Sequence, residues 1–299
     1  MKLKRLPLAP KHLQRLRSEF HADICTNVLG YEADKQAYSN ADSRVSRSVD
    51  LAEGMATRIK HECSGHSTNG DAAELLLKQH TLKFLRAAFD EIGLKSLNGP
   101  FFSVEDAVKS MTRFEGYKPL AKLVKHLSKE AELRASLGGD YLITPDLTVA
   151  RRPFTTSLPD AAETTTPTAD NSVEVPKQKL PRSTSLATEY NALHASISCR
   201  WVIRSDRSVS GRNEPLNLTR SQSGTKPYLA VVTLEPLPSR IASIAMGTGD
   251  IDCTYHGALY ELLAAAHAGP YPDALDTLNT LVNGRRLRDI SDLPFDLAA

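Results

Sequence analysis

The segment from Ile197 to Ile203 constrains the fold of this chain more than any other. Ile197, Cys199, Trp201 and Ile203 alternate with Ser198, Arg200 and Arg204. A period of two places the first set on one face of a strand and the second on the other. Such a strand needs a sheet around it and an apolar layer on one side. Further strands are expected at Tyr141–Thr144, ending near Pro145-Asp146, and at Tyr228–Leu234. Leu147–Ala150 is a continuation past a kink or the next strand.

The remaining segments read mainly as helix. Residues 10–63 are helices with polar breaks, loop-like around 39–43, and 64–70 form a turn cluster. Asp71 is placed to cap a helix with Glu74 three residues on, as in a capping box. Leu75, Leu82, Leu85, Phe89 and Ile92 give that helix an apolar face. Ser103 and Asp106 are read as another helix start. A longer helix is expected over 119–137, stopped by Gly138-Gly139. Residues 154–186, rich in Thr, Pro, Ser and Ala, are expected to be a flexible insertion. Helices are expected within 208–222 and near 239–246, 257–267 and 272–282, the last stopped by Gly284. The order predicts one α/β domain over 1–299, in which a mostly helical part (1–138) packs on a core (139–299).

A hydrophobic content of 41% with 24% charged residues suits a chain that buries a core. The net charge of +2 is too mild to indicate nucleic acid by itself, so the distribution of charge decides. Cys25, Cys63, Cys199 and Cys253 form no CxxC pair and are expected to be reduced thiols. The basic start lacks the apolar stretch of a signal peptide, and no run is long enough to span a bilayer, so a cytoplasmic location is expected. His61 and His66 are five apart and do not share a helical face, which argues against a zinc helix. Gly247-Thr248-Gly249-Asp250 lacks the lysine of a phosphate loop.

Arg200, Arg204, Arg207, Arg212 and Arg220 fall close together. A strand with cations on one face suits DNA phosphates or base edges, and it equally suits a solvated basic edge strand. Within Arg204-Ser205-Asp206-Arg207, an arginine fork matches guanine O6 and N7, and aspartate can accept from cytosine N4. An internal Arg–Asp pair is the alternative.

Pro145-Asp146 followed after a long gap by Ser198-Cys199-Arg200 looks like the PD-(D/E)xK nuclease core. Longer motifs resemble the NgoMIV family of type II restriction endonucleases. They are Gly139-Asp140-Tyr141-Leu142-Ile143-Thr144-Pro145-Asp146, His194-Ala195-Ser196-Ile197-Ser198-Cys199, Arg204-Ser205-Asp206-Arg207 and Glu214-Pro215-Leu216-Asn217-Leu218. Glu235-Pro236-Leu237-Pro238-Ser239-Arg240, Gly247-Thr248-Gly249-Asp250-Ile251-Asp252-Cys253 and Val282-Asn283-Gly284-Arg285-Arg286 complete the set. The resemblance is strong from about residue 139 onward, weak over the N-terminal third and absent from 154–186.

The resemblance implies a restriction-endonuclease-like mixed central sheet flanked by helices. It implies a Mg²⁺-dependent enzyme that cuts both strands of DNA at a palindrome, with GCCGGC as the target. Asp146, Glu214 and the Cys199 backbone carbonyl are the implied metal ligands. Asp146, Arg200, Glu214, Glu74 and Ser198 form the implied catalytic group. Arg204, Asp206 and Arg207 are the implied readers of the inner CCGG, and Arg240 of the outer G·C pair. A homotetramer, built as a dimer of dimers, is also implied. Arg200 departs from the pattern, because the family motif carries a lysine there. An arginine stays protonated and cannot act as a base. The alternative expectation is therefore a sequence-specific DNA-binding protein with impaired cleavage.

Overall fold

The computed structural model describes residues 11–65, 70–92, 95–96, 99–100, 102–106, 114, 145–151, 192–203, 226–246 and 251–298. The expected helix over 119–137, the strand over 141–144, the insertion and the helix within 208–222 lie outside them. The chain opens with α1 (Lys11–Asn27), a short hairpin of β1 (Tyr31–Glu32) and β2 (Ala37–Tyr38), and α2 (Ser46–Ala56). Next come α3 (Gly70–Glu91) and a second hairpin, β3 (Lys95–Ser96) with β4 (Gly99–Pro100). The strands β5 (Phe102–Asp106), β6 (Leu147–Arg151), β7 (Ala192–Arg200) and β8 (Tyr228–Thr233) follow. The chain then forms α4 (Pro238–Ala245), β9 (Cys253–His256), α5 (Leu259–Ala268), α6 (Pro272–Asn283), β10 (Leu287–Asp289) and α7 (Leu293–Ala298).

Six strands make one mixed sheet in the order β10-β9-β8-β7-β6-β5. β5, β6 and β7 pair antiparallel, whereas β7, β8, β9 and β10 pair parallel. The sheet, with helices packed on it, is the expected mixed α/β fold. β7 lies inside it, between β6 and β8, which removes the solvated edge-strand reading. Its residues from Ala195 to Cys199 are all buried, on both faces.

Several expectations are corrected. The segment beginning at Ser103 is a strand, β5, paired residue for residue with β6 and not a helix start. Val104 turns into the core while its neighbours stay partly exposed, so alternation outweighed the capping-like pair of polar residues. In α3, Gly70 already belongs to the helix, so Asp71 lies in the first turn and does not precede it. The buried stripe runs through Ala73, Leu77, Phe84, Leu85 and Phe89, while Leu75 is exposed. α6 does stop at Gly284, as expected, but Gly284 keeps a right-handed φ of −76° and the next residue, Arg285, takes the positive value, 55°. The Arg286 N–H then reaches back to the Leu281 carbonyl, closing the helix in a Schellman-like turn.

The expectation of four free thiols is also corrected, since Cys25 and Cys63 are disulfide-bonded. The end of α1 and the segment before α3 meet there, and the N–H groups of Ser64 and Gly65 both donate to the Cys25 carbonyl. Sequence spacing alone could not show that convergence. Cys199 and Cys253 are free and buried. No helix among the described residues is long and apolar enough to cross a membrane.

The N-terminal helices share a core with the sheet. Phe20 of α1 meets Phe84 of α3 edge-on, with ring centroids 5.9 Å apart. The Arg17 guanidinium donates to both oxygens of Glu261 at 2.9 and 2.6 Å, and to both oxygens of Asp289 at 2.8 Å. α1 is thereby tied to α5 and β10, across more than 240 residues of sequence. The Asp289 side chain is fully buried, so this pair cannot be broken from one side cheaply. Arg17→Leu is expected to cost about 3–5 kcal/mol in urea unfolding. Lys35→Ala, which breaks an exposed pair with Glu32, should leave stability nearly unchanged.

Candidate active site

The register of β6 against β7 builds the site. Leu147 faces Ile197, so Asp146, the residue before β6, falls beside the far end of β7. Its Oδ2 accepts the Cys199 N–H at 2.7 Å. Arg200 closes β7 and directs Nη1 to 4.0 Å from Asp146 Oδ2. The same nitrogen lies 3.6 Å from Glu74 Oε2, carried on α3. Three of the expected catalytic residues, from a helix, a strand start and a strand end, therefore converge. Glu74 does not serve a capping box here, because the helix begins earlier.

Burial pushes the Asp146 carboxyl above its ordinary value, against the Cys199 N–H, Arg200 and Lys78, which favour the carboxylate; Asp106 adds to the upward push. The Cys199 thiol is fully buried and pushed well above its usual range, so it is not a thiolate ligand. Ser198 is buried on β7, in register with Val231 of β8. Glu214 lies outside the described residues, and so do Arg204, Asp206 and Arg207. Among the described residues no three potential ligand side chains cluster tightly enough to hold a metal by themselves. Two carboxylates facing one cation, with burial opposing the charge on Asp146, nevertheless suit a hard divalent ion that takes oxygen ligands.

Lys78 went unnoticed in the sequence, and Asp106 was read only as part of a helix start. Lys78 stands one helical turn beyond Glu74, and its Nζ lies 3.1 Å from the Asp106 carboxylate. Reading β5 as a helix start hid Asp106. The spacing of Glu74 and Lys78 on one helix was the available signal.

A second buried carboxylate lies at the root of the expected recognition segment. Glu235 Oε2 accepts the Ile203 N–H at 2.7 Å, and Oε1 accepts the Leu237 N–H at 3.0 Å. Ile203 immediately precedes Arg204, and Leu237 is the N-cap of α4, which carries Arg240. Arg240 Nη2 donates to Asp42 Oδ2 at 2.5 Å, and its Nη1 lies 3.9 Å from Glu235. The expected outer-base reader is thus held by an aspartate from the N-terminal part.

The NgoMIV restriction enzyme family model matches residues 20–299. The Type II restriction enzyme NgoMIV of Neisseria gonorrhoeae is 38% identical over 299 residues, covering 94% of this chain and 97% of the relative. The likeness therefore reaches well into the N-terminal third, where the motifs alone were weak.

Burial pushes Glu235 up to about 7 from 4.5, against the N–H bonds of Ile203 and Leu237 and the charge of Arg240. Between these values the unfolded chain is ionised while the folded site keeps a proton. The contribution of this group to stability is full at the acid end and is lost as pH rises through about 7. Glu235→Gln does not titrate. The stability of wild type minus variant, from urea unfolding at several pH values, should fall from pH 4.5 to about 7. A difference that grows over that range would place the proton on another group.

Proposed function

Because the chain belongs to the NgoMIV restriction enzyme family, we propose that it is a type II restriction endonuclease that cuts both strands of DNA at GCCGGC with Mg²⁺. The convergence of Asp146, Glu74 and Arg200 at the end of β7 carries this reading. Asp146 and Glu214, with the Cys199 carbonyl, would hold the ion, and Glu74 shares the Arg200 guanidinium with Asp146. Bound Mg²⁺ supplies Lewis-acid polarisation of the phosphate and makes a bound water more acidic.

The chain's own residues position and compensate. The Cys199 N–H fixes one Asp146 oxygen, leaving the other lone pairs of that carboxylate for a cation. Partial burial of Glu74, Asp146 and Arg200 strengthens the charge interactions among them. In the reaction a water oxygen bonds to phosphorus, and the bond to the opposite sugar oxygen breaks with its electron pair. The water gives one proton to solvent, and the leaving oxygen takes one from solvent. Arg200 neutralises charge near that phosphorus but cannot accept the proton.

Sequence reading is assigned to Arg204, Asp206 and Arg207 for the inner CCGG and to Arg240 for the outer pair. Arg240 must leave Asp42 to reach a base, which gives free and bound proteins different contacts at this position. The proposal includes one catalytic unit per chain, a cytoplasmic site of action and a homotetrameric dimer of dimers that engages two sites.

A second reading rests on the position of the Arg200 guanidinium between two carboxylates. If the guanidinium only holds them, the chain binds GCCGGC and cuts it poorly. Cleavage of a plasmid with two GCCGGC sites, with Mg²⁺ and with EDTA, separates the readings. The endonuclease reading expects Mg²⁺-dependent cutting that Asp146→Asn lowers by roughly 10² or more. Cutting by Arg200→Lys alone would establish the binder. Indifference to GCCGGC against scrambled DNA, in binding and in cleavage, would sink both.

A further inference from the structure

Lys78 occupies an unusual place for a lysine. Its side chain is only 13% exposed, and lysine is rarely buried without a reason. It lies on α3 four residues after Glu74, on the same face of the helix. Its Nζ is 3.1 Å from Asp106, the last residue of β5. Asp106 pairs in register with Leu147, the neighbour of Asp146. The ammonium therefore sits at the Asp146 end of the β5–β6 pair, beside the candidate active site. Lys78 and Arg200 are the two cations whose charge favours the Asp146 carboxylate.

A structural ion pair explains this placement poorly. The Asp106 side chain is 39% exposed, and a pair with one partner so wet contributes little. The position is better explained by what is missing on β7. There the strand offers Arg200, whose Nη1 lies 3.6 Å from Glu74 and 4.0 Å from Asp146. That geometry makes Arg200 a fixed counter-charge. It leaves no compact ammonium on the strand to orient water or to follow charge as it moves on the phosphate.

We propose that Lys78, carried on α3 and steered by Asp106, supplies the active-site ammonium that β7 lacks, while Arg200 holds Glu74 and Asp146 in place. This rests on the reading of the site as one that hydrolyses phosphodiesters. Lys78 orients the attacking water and stabilises negative charge on the phosphate, and it neither gains nor loses a bond. The lysine function has moved from strand to helix, to a residue that is held by Asp106 and whose charge acts on the Asp146 carboxylate.

The test uses the full chain and a GCCGGC duplex. Single-turnover cleavage in Mg²⁺, duplex affinity without Mg²⁺ and thermal unfolding are measured for wild type, Lys78→Met, Arg200→Lys and the double variant. Lys78→Met is expected to slow cleavage by roughly 10²–10⁴ while affinity and melting temperature stay near wild type. The double variant is expected to regain about tenfold or more over Lys78→Met, because a lysine is back on the strand. That gain is expected to exceed the gain of Arg200→Lys over wild type, which a purely structural tie to Asp106 would not produce, because independent effects add. Wild-type cleavage by Lys78→Met, loss of binding or folding along with cleavage, or no recovery in the double variant each overturns the inference. A wild type that binds GCCGGC without cutting overturns it too, and leaves recognition standing. A wild type that neither binds nor cuts overturns the functional reading itself.

Discussion

The hydrogen bond from the Cys199 N–H to the Asp146 carboxylate is the contact on which the site depends. It exists only because β6 and β7 run antiparallel with Leu147 opposite Ile197. A slip of one residue would turn every side chain of β6 to the other face and carry Asp146 away from Arg200. A charge-assisted bond of this kind contributes about 1.5–3 kcal/mol, and here it works against burial, which favours the neutral acid. The cations beside Asp146 tip the same balance. One N–H and two nearby cations favour the carboxylate form of Asp146 against burial, which pushes the group up, and a divalent cation would favour that form further.

The end of β7 has a second anchor of the same kind. Asp146 takes the N–H of Cys199, and Glu235 takes the N–H of Ile203, four residues further on. Two buried carboxylates thus fix the backbone on either side of Arg200 and Trp201. The first lies in the candidate active site, and the second at the root of the segment expected to read bases. Trp201 fills the space between them, its indole N–H donating to the Ser39 carbonyl. Asn40 donates to the Leu234 carbonyl at the end of β8, and Asp42 holds Arg240. The short segment after β2 therefore touches β7, β8 and α4 together. The N-terminal part is joined to the recognition side of the molecule through hydrogen bonds as well as through packing.

What could be read in the sequence follows from how local each signal is. The alternation at 197–203 pointed to the last part of β7, which starts earlier, at Ala192, and ends at Arg200, and the apolar run at 228–234 became β8. α4, α5 and α6 were expected, and prolines open the first turns of α4 and α6. β9 and β10 were missed. Four and three residues carry too little period to detect, and they are strands because β8 offers a parallel edge. Asp146, Cys199 and Arg200 were legible through a motif, and the structure brings them together with Glu74. Lys78, Asp106 and Glu235 were not, since their roles arise from pairings between elements that no local pattern encodes. The disulfide between Cys25 and Cys63 was hidden for the same reason.

The arginine at position 200 then becomes intelligible as a change in the division of labour. A lysine on β7 would be one mobile point charge shared between carboxylates and phosphate. An arginine there is a rigid, permanently charged group whose Nη1 lies 3.6 Å from Glu74 and 4.0 Å from Asp146, at the cost of mobility. On this reading the substitution is tolerable because another cation, paired with Asp106, stands near the same site. α3 supplies one because its pitch sets residues four apart on one face, so a helix that delivers Glu74 to the site delivers Lys78 with it. β5 keeps that side chain in place by ending on Asp106, in line with the start of β6. The charge at the site is therefore set by three elements meeting at one corner of the sheet, and not by the strand motif alone.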